Sequence, residues 1–135
     1  MAVGKASSVS DQQLANFVRQ LQVMLESGIG IIRALDFFAT TDSTELGQAI
    51  EDCTTKVRQG NYLSQALKAR PDIFSEVFIG LLQVGERSGG LVRMMEILAQ
   101  MLERQSRIQA RIKNALIYPA LHIGHKEDIW AALSI

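Results

Sequence analysis

From Leu14 to Tyr118 the apolar residues of this chain recur at spacings of three and four, and no stretch alternates apolar with polar between turns. The first period lines one side of an α-helix and the second one side of a strand, so apolar surface here can be buried by helices and not by a sheet. Leu14, Phe17, Val18, Leu21, Met24 and Leu25 make the first stripe, with Ser10 and Gln13 as a capping box before it and Gly28 as its stop. Ile31, Ile32, Leu35, Phe38 and Ala39 make a short second. Ser43 or Thr44 is placed to cap a third, whose face is Leu46, Ala49, Ile50, Cys53 and Val57 and which ends at Gly60. Leu63, Ala66 and Leu67 give a brief fourth helix stopped before Pro71, because a residue preceding proline disfavours the α region. Ser75 caps a fifth running to about Val84, and the sixth extends from Leu91 to about Tyr118, roughly 40 Å at about 1.5 Å per residue. The expected fold class is all-α, a six-helix bundle with a long final helix.

A chain of 135 residues suits one domain with a core of its own. Hydrophobic residues at 47% and charged residues at 21% favour a packed globule over disorder. Lys+Arg and Asp+Glu balance at 14 each, so no global charge draws the chain to nucleic acid. A single cysteine, Cys53, excludes an internal disulfide and fits a reducing compartment. Met1 to Ser10 lack the apolar core of a signal peptide, and no run approaches the 18 or so apolar residues of a membrane span. The segment 1–9 is expected to be a flexible N-terminus and 10–121 the helical domain.

No set of residues assembles an acid, a base and a nucleophile. Cys53 falls on the apolar stripe of the third helix, where a free cysteine behaves as a small buried hydrophobe. His122 and His125, with Glu127 and Asp128 near them, could share a metal, but two histidines in a weakly patterned segment make a poor ligand set. Met94, Met95 and Met101 read as core filling, and Glu45, Glu51 and Asp52 as a solvated face. The expectation is a protein that is not an enzyme and needs no cofactor.

More informative is Gly85-Glu86-Arg87-Ser88-Gly89-Gly90, between two helical patterns. It lacks the Gly-Lys-Ser/Thr of a phosphate loop and the glycine spacing of a dinucleotide fold, and reads as a tight turn between helices. Gly85 and Gly89 are expected to allow close approach and positive φ, and Glu86 to cap the sixth helix or meet Arg19 or Arg93. Ser27-Gly28 and the apolar run after it align with Ser88-Gly89 and the run after that, with one gap, as two helix–turn–helix units of like geometry would. Beyond the corner, Arg104, Arg107, Arg111, Lys113 and Lys126 occur with no acid from Arg104 to Lys126, and the three arginines share one helix face. Positive charge collects in this way on the cytoplasmic side of a membrane crossing. The apolar stretch Ala115-Leu116-Ile117-Tyr118-Pro119 follows.

Taken in order, these motifs resemble the cytoplasmic domain of the type II secretion system protein F family, which includes the inner-membrane platform proteins of type IV pili. Phe17, Arg19, Gln20, Leu21, Leu25 and Gly28 are similar to the opening helix of that family, and Ala34-Leu35 to its second. Gly60, Leu63-Ser64-Gln65-Ala66-Leu67, Pro71 and Phe74 resemble its Gly-x-x-Leu-Ser-x-Ala-Leu segment. Gly85-Glu86-Arg87-Ser88-Gly89 resembles its Gly-Glu-x-Ser-Gly corner, and Ala115-Leu116-Ile117-Tyr118-Pro119 the approach to its first membrane helix. The resemblance covers about residues 10 to 121. After Leu121 the apolar span is missing, and 122–135 is read as vector-derived or altered sequence from which no function is drawn.

The resemblance implies a non-enzymatic part of an inner-membrane platform, on the cytoplasmic side, coupling an assembly ATPase to pseudopilin or pilin polymerisation. Its implied partners are that ATPase, other platform components, the membrane through transmembrane helices absent from this chain, and a second copy of itself. The glycine corner (Gly85, Glu86, Ser88, Gly89), with Arg19 and Gly28, becomes the signature or partner-contact set. Arg104, Arg107, Arg111, Lys113, Tyr118 and Pro119 become juxtamembrane residues. A soluble helical adaptor is the alternative, but it gives no reason for the acid-free basic stretch. Nucleic acid is not an expected partner, given the neutral net charge and the absence of aromatics beside the arginines.

Overall fold

The computed structural model describes residues 7–123, and side chains over 7–115. Six helices follow in order: α1 Asp11–Glu26, α2 Ile31–Thr41, α3 Glu45–Arg58, α4 Leu63–Leu67, α5 Glu76–Ser88 and α6 Leu91–Ile123. His125 and the rest of 124–135 lie outside the described residues, as do 1–6 of the N-terminal segment; His122 falls in α6. Val9, just ahead of α1, is buried, and the Ser8 amide donates to Glu45 Oε1 at 3.2 Å.

Local chemistry sets the helix ends. Ser10 and Gln13 close the capping box on α1: the Gln13 amide donates to Ser10 Oγ at 3.1 Å and the Ser10 amide to Gln13 Oε1 at 2.9 Å. At the other end Gly28, with φ of +88°, lets its own amide reach the Leu25 carbonyl and that of Ile29 reach Met24, both at 3.0 Å. Ser75 caps α5 through the Phe78 amide at 3.2 Å. Thr44 holds the cap position of α3, yet its amide and hydroxyl both donate to Asp42 Oδ1, so Asp42 organises that turn.

Each helix packs on the next and α6 returns to α1, closing the circuit around one core. Phe17, Leu21, Leu35, Leu46, Ile50, Leu67, Ile73, Phe78, Leu82, Met95 and Leu98 are its largest fully buried members, each stabilising by about 1.5–3 kcal/mol through area removed from water. Phe17 meets Phe38 edge to face, centroids 4.7 Å apart, and Phe74 meets Phe78 at 5.1 Å. Cys53 is buried and its Sγ donates to the Ala66 carbonyl at 3.4 Å; burial pushes the thiol pKa up, away from a reactive thiolate. Of the paired apolar residues, Phe38 and Met95 enter the core, while Phe37 is 58% exposed and Met94 only half-buried.

α6 has 33 residues, about 50 Å, and its described side chains pack into the bundle only over the first half. Leu102 is its last fully buried residue, and from Arg107 to Ala115 every residue is exposed. Among the described residues no helix is long and apolar enough to cross a membrane.

Candidate functional site

The glycine corner differs in extent from the sequence expectation. The fifth helix does not end near Val84: Gly85, Glu86, Arg87 and Ser88 are its last turn, and the reversal is made by Gly89 and Gly90 alone. Gly85 therefore has helical φ, contrary to the expectation that it would need positive φ. Its requirement is space, since a Cβ there would lie 3.0 Å from Leu91 Cα and from Met94 Cβ and Cγ. Gly89 carries the left-handed residue, φ +77°. Ser88 Oγ accepts from the Gly90 amide at 3.3 Å, and the Gly90 carbonyl then accepts from Met94 at 3.0 Å to start α6. The α1–α2 corner repeats this plan, with Gly28 at positive φ and the Gly30 carbonyl accepting from Ala34 at 3.0 Å.

Glu86 neither caps α6 nor meets Arg19 or Arg93. Continuation of α5 through Ser88 turns residue 86 toward α4, and its carboxylate takes both donors of Ser64: the amide at 2.9 Å and the hydroxyl at 2.5 Å. The cap residue of α4, Tyr62, makes no side-chain cap hydrogen bond, and an anion from a neighbouring helix satisfies the first turn instead. Ser64 is 3% exposed, where charged hydrogen bonds contribute about 1.5–3 kcal/mol each. Two motifs read separately in the sequence, the Leu-Ser-x-Ala-Leu segment and the Gly-Glu-x-Ser-Gly corner, are thus two halves of one junction. It binds α4, α5 and the start of α6 together.

Arg19 finds a different acid. Its Nε donates to Glu103 Oε2 at 3.0 Å and its Nη2 to Glu103 Oε1 at 2.9 Å, while Nη1 donates to Gln22 at 3.2 Å. The guanidinium holds the Glu103 carboxyl below the usual carboxylate range, and Glu103 raises Arg19 in return. Half-exposed, the pair contributes about 0.2–1 kcal/mol, but its forked geometry fixes register between α1 and α6. Ser106 Oγ donates to Gln12 Oε1 at 3.2 Å one turn further along. Just past this clasp α6 leaves the bundle, presenting Arg104, Arg107, Arg111 and Lys113, all exposed. Tyr118 and Pro119 continue the helix; their side chains lie outside the described set.

The expected site residues thus fall at two ends of one helix. Gly85, Glu86, Ser88 and Gly89 anchor the start of α6, Arg19 clasps it where it emerges, and the basic residues follow, while Gly28 belongs to the matching corner on α1. Not anticipated were Glu103, Ser64 as the partner of Glu86, and Gly47, a buried glycine early in α3 against which the Asp42 backbone is pressed. Phe37 also lies with Val23, Met24, Gln20 and Arg19 around an open, largely apolar groove between α1 and α2. No group of three or more His, Cys, Asp or Glu that could hold a metal occurs among the described residues.

Residues 17–124 match the family model described as type II secretion system (T2SS), protein F. The type IV pilus assembly protein PilC of Pseudomonas aeruginosa is 26% identical over 118 residues, 87% of this chain and 32% of that protein. PilC of Thermus thermophilus is 32% identical over 111 residues, 82% of this chain and 27% of that protein. The type II secretion system protein F of Xanthomonas campestris is 32% identical over 109 residues, 80% of this chain and 27% of that protein. The chain spans about three tenths of the length of these curated relatives.

Proposed function

Because this chain belongs to the type II secretion system protein F family, we propose that it forms a cytoplasmic domain of an inner-membrane platform protein. In this reading the domain couples an assembly ATPase to pseudopilin or pilin polymerisation and is not itself an enzyme. The observation that carries it is the family match joined to the form of α6: one continuous helix, fixed in the bundle by the glycine corner and the Arg19–Glu103 clasp, that emerges with an acid-free basic face. A rigid element held at several points and standing clear of the bundle from Arg107 to Ala115 passes displacement from a partner on the bundle to whatever lies beyond it.

The partners in this reading are the ATPase, other platform components and a second copy of the chain. The groove at Phe37 and Val23, 58% and 61% exposed, is the apolar surface offered for such contacts. Sedimentation of the purified chain, alone and with the assembly ATPase of the same organism, reads both. A self-associating species and a complex of defined stoichiometry are expected. A chain that stays monomeric at high micromolar concentration removes the self-contact, and one that never co-sediments with the ATPase removes the coupling role.

A further inference from the structure

The exposed half of α6 holds four cations with no direct partner in the fold. Arg104, Arg107 and Arg111 share a face and Lys113 follows; among the described residues none of the four makes a salt bridge or hydrogen bond. Arg107 touches the rest of the domain electrostatically, helping to hold the Glu103 carboxyl low. Ile108 and Ile112, 47% and 54% exposed, lie on one side of the basic ridge, about 40° and 80° around the helix from Arg104 at about 100° per residue. The helix therefore carries cations and an adjoining apolar edge.

Charge elsewhere gives this end a direction. The chain has zero net charge, so these four cations leave the remainder with four more acids than bases. An anionic surface attracts the emerging helix and repels the rest. A nucleic acid would take up the cations but leave the two isoleucines uncovered, and residues 104–115 include no aromatic to stack on a base. A bilayer satisfies both features: phosphates meet the cations, and the apolar edge enters the boundary between headgroups and acyl chains.

We propose that residues 104–115 of α6 bind the surface of an anionic phospholipid bilayer, with Arg104, Arg107, Arg111 and Lys113 on the headgroup phosphates and Ile108 and Ile112 below them. This deepens the platform reading, on which it rests for the presence of a membrane beside the domain. The contact sets the orientation of the bundle over the bilayer independently of any membrane span.

Sedimentation of the full chain with vesicles of phosphatidylglycerol and phosphatidylcholine, against phosphatidylcholine alone, tests it. Binding is expected to the anionic vesicles only, and to vanish at about 1 M salt, where the screening length falls to about 3 Å. Each cation near such a surface strengthens binding about fivefold, so R104Q/R107Q/R111Q should weaken it on the order of 100-fold. All three side chains are exposed, so the variant should keep its melting temperature and its association with the ATPase. Equal binding by variant and parent, equal binding to both vesicle types, or preference for a duplex oligonucleotide at the same salt overturns the proposal. Loss of ATPase association by the parent chain is the separate result that would sink the platform reading.

Discussion

Gly47→Ala is expected to lower stability by about 3 kcal/mol, read as a fall in Tm of roughly 10 °C, although alanine is the better helix former. Gly47 is the third residue of α3, and the turn from α2 folds back over it. A Cβ there would lie 1.8 Å from the Asp42 carbonyl oxygen and 2.7 Å from its carbon. The obstacle is backbone, so no rotamer change relieves it, and Asp42 must retreat by about an ångström or more. Asp42 cannot move alone, because its side chain holds the Thr44 amide at 2.8 Å and its amide bonds the Phe38 carbonyl at 3.0 Å. The gain in helix propensity, at most about 1 kcal/mol, is the smaller effect. Gly80→Ala is the control. A Cβ at Gly80 meets nothing within 4 Å, so that variant should melt at or above the parent. Equal melting of the two variants would show that the α2–α3 turn is not pressed on the helix.

Gly85→Val is expected to cost about 2–3 kcal/mol and to displace α6 against α5. The new side chain would be driven into Leu91 Cα and Met94, at the point where α6 begins and where Met95 and Leu98 then bury themselves. Gly89→Val and Gly28→Val act by another route. A Cβ at either meets nothing within 4 Å, so the cost is the left-handed backbone alone, about 1–2 kcal/mol. The expected order of melting temperatures puts Gly85→Val below the other two. The reverse order would mean that the corner is a conformational device and not a packing junction.

The difference between those glycines explains where sequence reading stops. The stripes of α1 and α3, the Ser10–Gln13 box and the Ser75 cap depend on residues within a turn of one another, so they were legible. The end of α5 was not, because an interior glycine costs about 1 kcal/mol and reads as a stop. Here the close approach of α6 offsets that cost. Glu86 and Ser64 were both visible in motifs, but they are 22 residues apart and only the packing of α4 against α5 joins them. Arg19 and Glu103 are separated by 84, and no local pattern in the sequence pairs them. That run needed no partner to be noticed, and it is where the helix stands clear of the bundle.

On the proposed function, α6 transmits displacement as one rigid element. This is tested most directly by placing a flexible Gly-Ser-Gly-Ser-Gly insertion after Gln109, in the exposed half of α6, within the full-length platform protein that the proposed function implies, and measuring secretion or pilus assembly. Folding of the bundle and association with the ATPase should be unchanged, and output should fall by at least about tenfold. An insertion of seven helix-forming residues, close to two turns, should retain much more of it. Normal output with the flexible insertion would show that α6 is a tether and would contradict the account.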